Sequence, residues 1–371
     1  MCAQPNHWFF FSDLETVDSP ALVVYEDHVR QNIDALIQII GDVRRLRVHV
    51  KTHKCREATQ IMLDAGIRKF KCATIAEAEM LGMVKADDVL LAYQPLGPKI
   101  DRLMQLIKRY PHTSYSCLVD HAAAAMELSL KVQAETGRLP VFIDVNVGMN
   151  RTGIHPDGAV ALFELCASLP GLDPIGLHVY DGHIHDADLG LRTAKCDEAF
   201  TRVESLRSAL LHLGFDPVVI AGGTPTFPVH AKRGDVECSP GTFIYWDKGY
   251  ASSCAEQPFV YAALIICRVV SLPSDGLLCV DVGHKSVAAE NELKKRIYFL
   301  NAPELEPISQ SEEHLVVNAG LSHQYRPGDI LFGVPHHVCP TVALYEKAIV
   351  IKKNKIAGEW KTIARDRKIN C

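Results

Sequence analysis

The stretch Val48-His49-Val50-Lys51-Thr52-His53-Lys54 holds the residues best placed to do chemistry. Leu46, Val48 and Val50 fall on one face of an alternating strand, and Arg47, His49 and Lys51 on the other. A lysine at a strand end, opposite the aliphatic packing, can direct its amine into a cavity. An amine partly withdrawn from water sheds its proton and becomes a nucleophile toward carbonyl carbon. Alone, such a lysine is more often a solvated charge, so the other motifs must decide.

Gly222-Gly223-Thr224-Pro225-Thr226 follows the short strand Val218-Val219-Ile220. Paired glycines let backbone N–H groups approach an anion, and threonine hydroxyls add donors. After a late barrel strand this is a common phosphate position. Lys51 with this turn implies a cofactor carrying an aldehyde at one end and a phosphate at the other, and pyridoxal phosphate fits. Arg151, in Gly148-Met149-Asn150-Arg151-Thr152-Gly153, could hold the cofactor phenolate or a substrate carboxylate by charge-assisted hydrogen bonds; a plain helix-start arginine is an equal alternative. His178 and Tyr180 end another strand and suit packing or hydrogen bonding beside a cofactor ring. His183 and His185 fall in a loop and stay unassigned.

Pro335-His336-His337-Val338-Cys339-Pro340 offers a second chemistry. If it is extended, His337 and Cys339 point to one side, and imidazole with thiolate suits zinc. Two protein ligands plus water would make an open site in which the metal polarises a substrate hydroxyl. A buried cysteine beside a histidine is the plain alternative. Ser311-Glu312-Glu313-His314 could lend a supporting group or a base.

The elements that must position these groups alternate along the chain. Strand patterns run over 45–51, 69–73, 88–92, 114–119, 140–147, 174–180, 218–221 and 242–246, with helical patterns over 57–64, 75–84, 100–109, 122–136, 158–168 and 189–213. Alternating β and α elements of this number predict an α/β fold, a (β/α)8 TIM-like barrel, over residues 20–250. In 141–147 and 175–180 aliphatic side chains share one face and polar ones the other, as in the first strand. The polar groups gather toward strand C-terminal ends, the catalytic rim of such barrels. After about residue 250 helical patterns nearly vanish. Strand patterns at 259–271, 277–282, 314–318, 329–332 and 341–351 predict a C-terminal all-β domain over 251–371, joined by residues 1–19.

A chain of 371 residues, 48% hydrophobic, can bury a large core. Its net charge of -5 argues against nucleic-acid or membrane-surface partners, and no segment reaches the length of a membrane span. The 12 cysteines form no CxxC pair and read as reduced core thiols of a cytoplasmic protein.

Six motifs, in order over nearly the whole chain, resemble the D-threonine aldolase and D-serine dehydratase family, pyridoxal-phosphate enzymes of the alanine racemase fold type. They are His49-Val50-Lys51-Thr52-His53-Lys54, Gly148-Met149-Asn150-Arg151-Thr152-Gly153, Gly222-Gly223-Thr224-Pro225, Ser239-Pro240-Gly241-Thr242-Phe243, Ser311-Glu312-Glu313-His314 and Pro335-His336-His337-Val338-Cys339-Pro340. The resemblance implies a barrel with a β domain, a homodimer, and Lys51 as the Schiff-base residue. It implies that Arg151 contacts the cofactor, that Gly222, Gly223 and Thr224 hold its phosphate, and that His337 and Cys339 bind a divalent ion (zinc, manganese or magnesium) beside it. Some aldolases of the family carry aspartate where this chain has Cys339, which favours a zinc-like ion here. The implied activity is metal-assisted cleavage of a D-3-hydroxy amino acid to glycine and an aldehyde. Dehydration of D-serine or a D-3-hydroxyamino acid is the runner-up, and racemisation a third option. A non-catalytic pyridoxal-phosphate carrier or a cofactor-free barrel are rivals of another class; the extra β domain speaks against the carrier.

Overall fold

A computed structural model of the chain describes residues 7–135 and 137–371. The first six residues of the expected N-terminal contribution, and Thr136 at the end of the expected 122–136 helix, lie outside the described residues. Two compact units divide the chain: Leu36–Gly241 with Asp366–Cys371, and Met1–Ala35 with Thr242–Arg365.

The first strand, β1 (Ala21–Tyr25), belongs to the second unit. Eight parallel strands then build the first: β2 (Arg47–His49), β3 (Lys69–Cys72), β4 (Asp88–Leu91), β5 (Ser114–Val119), β6 (Leu139–Val145), β7 (Leu172–Val179), β8 (Val218–Ala221) and β9 (Val236–Cys238). They pair in sequence order from β2 to β9. The circuit closes where Leu46 bridges Cys238 in parallel and Ser239 Oγ donates to the Arg47 carbonyl at 2.9 Å. Helices Arg56–Asp64, Ile75–Met83, Pro98–Arg109, Ala122–Glu135, Pro156–Ser168 and Leu189–His212 alternate with the strands. Their starts follow local chemistry: Thr74 accepts the Glu77 N–H, Asp188 accepts the Leu191 N–H, and Pro98 and Pro156 occupy first turns. The expected (β/α)8 architecture is therefore the observed one.

Inside the barrel, side chains stack in layers. Arg47 forms the lowest, donating to Glu237 at 2.7 Å and to both oxygens of Asp88 at 2.6 and 2.7 Å. Leu90, Leu118, Phe142 and Ile220 pack as a middle layer, with the Arg47 guanidinium 5.7 Å from the Phe142 ring centre. Above it the interior turns polar with Lys71, Asp144 and His178.

One strand expectation fails here. Residues 242–246 do not form the eighth stave; Thr242–Ile244 is a 3-10 turn, and β9 takes that place. The pattern Val-Glu-Cys of β9 is too short to stand out. Helix Glu26–Ile40, unmarked by the sequence reading, precedes the barrel.

In the second unit, β10 (Ala263–Ser274), β11 (Leu277–Val280), β12 (Ile297–Phe299), β13 (Glu306–Gln310), β14 (Leu315–Asn318), β15 (Ile330–Pro335), β16 (Lys347–Lys352) and β17 (Lys355–Lys361) join β1 in one sheet. Its main path runs β13-β14-β11-β10-β1-β16-β17, with β15 pairing β10 and β12. All pairs are antiparallel except β1 with β16. Among the described residues no helix is long and apolar enough to cross a membrane.

Candidate active site

Lys51 sits in the turn just beyond β2 and is half-buried. That turn is held from several sides. The Val50 N–H donates to the Lys71 carbonyl at 2.9 Å, and the Lys51 N–H lies 3.3 Å from His49 Nδ1. Lys54 adopts a φ of 52°, and its amine pairs with buried Glu77, which also accepts the Ala73 N–H at 2.6 Å.

Tyr180, one residue past β7, organises the cations of the rim. Its ring centre lies 6.0 Å from Lys51 Nζ, 5.5 Å from Lys71 Nζ and 5.3 Å from Arg151 Cζ. Such an arrangement combines cation–π attraction with mutual repulsion that an anionic ligand would relieve. Arg151 is exposed, in a turn braced by Asn146, whose Oδ1 accepts the Gly148 and Asn150 N–H groups at 3.0 and 3.1 Å.

Below Tyr180, His178 Nδ1 lies 2.7 Å from Asp144 Oδ1, and its Nε2 lies 3.4 Å from Lys71 Nζ. Burial and then the Lys71 charge lower the His178 pKa, outweighing Asp144, so the imidazole is neutral. Burial holds the His49 imidazole neutral too, reinforced by Lys51 and Lys71. Lys71 itself is pushed down to about 7 by burial and by Lys51. The sequence reading missed Lys71, although it lies directly opposite His49 in the β2–β3 register.

The loop after β8 packs tightly. Gly222 has a φ of 74°, and a Cβ there would meet His230 Cδ2 and Thr226 Oγ1 at 2.7 Å. A Cβ on Gly223 would come within 3.0 Å of the Tyr180 ring. The Gly222 N–H donates to Val179 and the Gly223 N–H to Thr226 Oγ1, so both are engaged within the loop. Buried Thr224 accepts the Gly241 N–H at 3.1 Å. Asp181 braces the loop from below, with Thr226 Oγ1 and His230 Nε2 each 2.8 Å from its carboxylate and the Cys196 thiol at 3.7 Å. Asp181, Cys196 and His230 thus cluster as metal-type ligands. Burial and Asp181 push the Cys196 thiol up to about 12, so it stays a donor to the carboxylate rather than an anionic ligand.

In the second unit His337 and Cys339 do meet, but not by strand parity. His337 occupies the N-cap position of the short helix Val338–Val342, and Cys339 lies in its first turn. Pro340 fits that first turn, where it sacrifices no helical hydrogen bond. His337 Nδ1 lies 2.6 Å from Glu290 Oε1. Burial opposes a charged His337, yet the adjacent Cys339, Glu290 and Asp247 raise its pKa to about 9. Asp247 is buried, accepts the Tyr250 and Val338 N–H groups at 2.9 and 3.1 Å, and is pushed up to about 6 by burial. Glu290 and Asp247 escaped the sequence reading. The expected supporting carboxylates, Glu312 and Glu313, pair instead with Lys285 at the surface. His183 and His185 are exposed.

Known proteins resemble this chain in sequence and fold. Residues 24–248 fit the family model described as alanine racemase, N-terminal domain, and residues 262–351 one described as a putative serine dehydratase domain. The chain belongs to the alanine racemase N-terminal-domain family. A D-threonine aldolase of Arthrobacter sp is 27% identical over 361 residues, covering 95% of this chain and 94% of the relative. A D-threo-3-hydroxyaspartate dehydratase of Delftia sp. is 27% identical over 293 residues, covering 75% and 74%. The crystal structure of D-threonine aldolase from Filomicrobium marinum superposes with a TM-score of 0.87 at 27% identity, over 95% of this chain and 97% of that one. This member of the family is an enzyme of the pyridoxal-phosphate-dependent lyase type.

The residues present fit that cofactor. The half-buried Lys51 amine, the cations around Tyr180 and a glycine loop whose Cβ positions are already filled form a cradle suited to an aldehyde with anionic substituents. The second unit fits a divalent cation: the negative groups that hold a proton on His337 would attract a metal in its place, and Glu290 on Nδ1 leaves Nε2 as the ligand atom.

Proposed function

We propose that this enzyme cleaves D-3-hydroxy amino acids to glycine and an aldehyde, with pyridoxal phosphate and a divalent metal. The observation that carries this reading is the set of cations Lys51, Lys71 and Arg151 around one aromatic ring at a barrel rim. Lys51 would hold the cofactor aldehyde covalently; Arg151 would meet its phenolate; His178 and Tyr180 would line its ring; Gly222, Gly223 and Thr224 would shape the phosphate end. When bound, pyridoxal phosphate supplies an electron sink for a carbanion at the substrate α-carbon. His337 and Cys339 would hold the metal, zinc-like given the sulfur ligand, whose chemistry is Lewis-acid polarisation of the substrate hydroxyl.

The neutral His178 suits a ring-facing role, since an imidazolium there would oppose the neighbouring cations. Dehydration is the second reading, favoured by the match of residues 262–351 to a putative serine dehydratase domain. Product analysis separates them. D-Threonine should give glycine and acetaldehyde; ammonia with a 2-oxo acid from D-threonine or D-serine would replace the first reading by the second. We also propose a homodimer, which sedimentation of the purified chain would test.

A further inference from the structure

Lys51 accounts for one amine at the rim, and the site holds a second. Lys71 is 3% exposed, on the strand next to β2, and faces the same tyrosine ring as Lys51. Among the described residues no carboxylate pairs with its amine, and the amine's one hydrogen-bond partner is His178 Nε2 at 3.4 Å; the Asp144 carboxylate on Nδ1 fixes that imidazole as an acceptor toward Lys71. Once deprotonated, an amine held this way donates one N–H and keeps its lone pair for another task.

We propose that Lys71 accepts the proton that an amino-acid substrate must lose from its ammonium group before its nitrogen can attack the cofactor carbon that Lys51 would hold. The inference rests on the reading under Proposed function. In the step, an N–H bond of the substrate ammonium breaks and an N–H bond forms at Lys71 Nζ, leaving a neutral substrate amine and a Lys71 ammonium. No other reactant is required. Groups facing Lys71 from every packed element suit this exchange. Lys51 and Arg47 oppose its charge; Asp144 and Asp181 favour it; His49 and His178 are neutral. The balance brings the amine to about 7, where it both takes and returns a proton.

Two variants separate proton acceptance from simple support. Lys71→Arg keeps a cation and a donor for His178 but cannot accept a proton; Lys71→Met removes both. In the cofactor-loaded full-length enzyme, the reaction with D-alanine, which carries no hydroxyl to cleave, is followed by cofactor absorbance across pH. The wild-type rate should rise through an inflection near pH 7. Both variants should lose the inflection and slow by about 10²-fold at neutral pH, recovering only as the free substrate ammonium ionises. Rescue by arginine, or an unchanged inflection in Lys71→Met, overturns the inference. Independently of turnover, 15N spectra of the full-length chain should show one lysine Nζ titrating near pH 7 that disappears in Lys71→Met; its absence also overturns it. Borohydride trapping tells the two levels apart. Label on Lys51 with unaffected Lys71 variants sinks this inference alone, whereas label elsewhere sinks the reading under Proposed function and this inference with it.

Discussion

Asp144 and His178 face each other across neighbouring strands, in register in the β6–β7 ladder, with 2.7 Å between carboxylate and Nδ1. Both are buried, at 5% exposure each, so neither has water as an alternative partner. Asp144→Ala would leave the His178 N–H unpaired in a closed layer, at a cost of about 1–3 kcal/mol. Asp144→Asn, which retains an acceptor oxygen, should cost less. Urea unfolding of the two variants checks the order; equal losses would mean that the bond contributes little.

Lys71 predicts a pH signature in stability. Its folded pKa is lowered to about 7 from an ordinary 10.5. Below pH 7 both states carry the proton and the folded state bears the full penalty of a buried charge. Between those values the unfolded chain binds a proton that the folded chain does not, so this contribution makes stability rise with pH. The slope is on the order of 1 kcal/mol per pH unit. The difference in unfolding free energy between wild type and Lys71→Met should therefore shift in favour of wild type from pH 7 to pH 10. A flat difference curve would place the titration elsewhere.

The lower barrel layer makes a different prediction. Arg47 is 2% exposed and is neutralised by Glu237 and Asp88, with Lys69 also pairing Glu237. Removing one partner of a buried pair leaves a charge without compensation, at about 3–5 kcal/mol. Glu237→Ala should approach that cost, because Asp88 alone must then balance Arg47. A loss well under 1 kcal/mol would mean that water reaches the layer.

The loop after β8 can be tested by comparing two glycines of similar backbone. Gly222 and Gly214 both have positive φ, 74° and 88°. A Cβ at Gly214 meets nothing within 4 Å, whereas at Gly222 it strikes Thr226 and His230 at 2.7 Å. Gly214→Ala should cost only the left-handed backbone, about 1 kcal/mol. Gly222→Ala should cost more and also weaken retention of pyridoxal phosphate in dialysis. Equal melting temperatures and equal retention would remove the loop from the cofactor site.

Local periodicity carried most of the barrel, because parallel strands alternate faces and the intervening helices are long. It placed Lys51, His178 and Tyr180 at or just past a strand end, whereas Arg151 lies in the turn that follows β6. It missed β9, whose three residues give no period to detect. It misjudged 335–340, where a short helix delivers the His337–Cys339 contact that an extended chain was expected to give. Lys71 was missed because the 69–73 strand pattern does not show whether its lysines face the interior until the interior neighbours are known. Glu290 and Asp247 lie 47 and 90 residues before His337, and only tertiary structure brings them to it.

Glu290 supplies the sharpest test of the metal reading. Its carboxylate lies 2.6 Å from His337 Nδ1, which orients the ring and leaves Nε2 as the donor to a cation. A carboxylate in that position raises imidazole basicity, and its loss weakens metal binding by about 10- to 100-fold. Glu290→Gln should therefore still bind one divalent ion per chain, but release it at a lower chelator concentration than wild type. His337→Ala and Cys339→Ala should lose the ion outright in elemental analysis of the purified protein. Undiminished metal content in both alanine variants would move the ion to other ligands, and unchanged competition in Glu290→Gln would separate Glu290 from it.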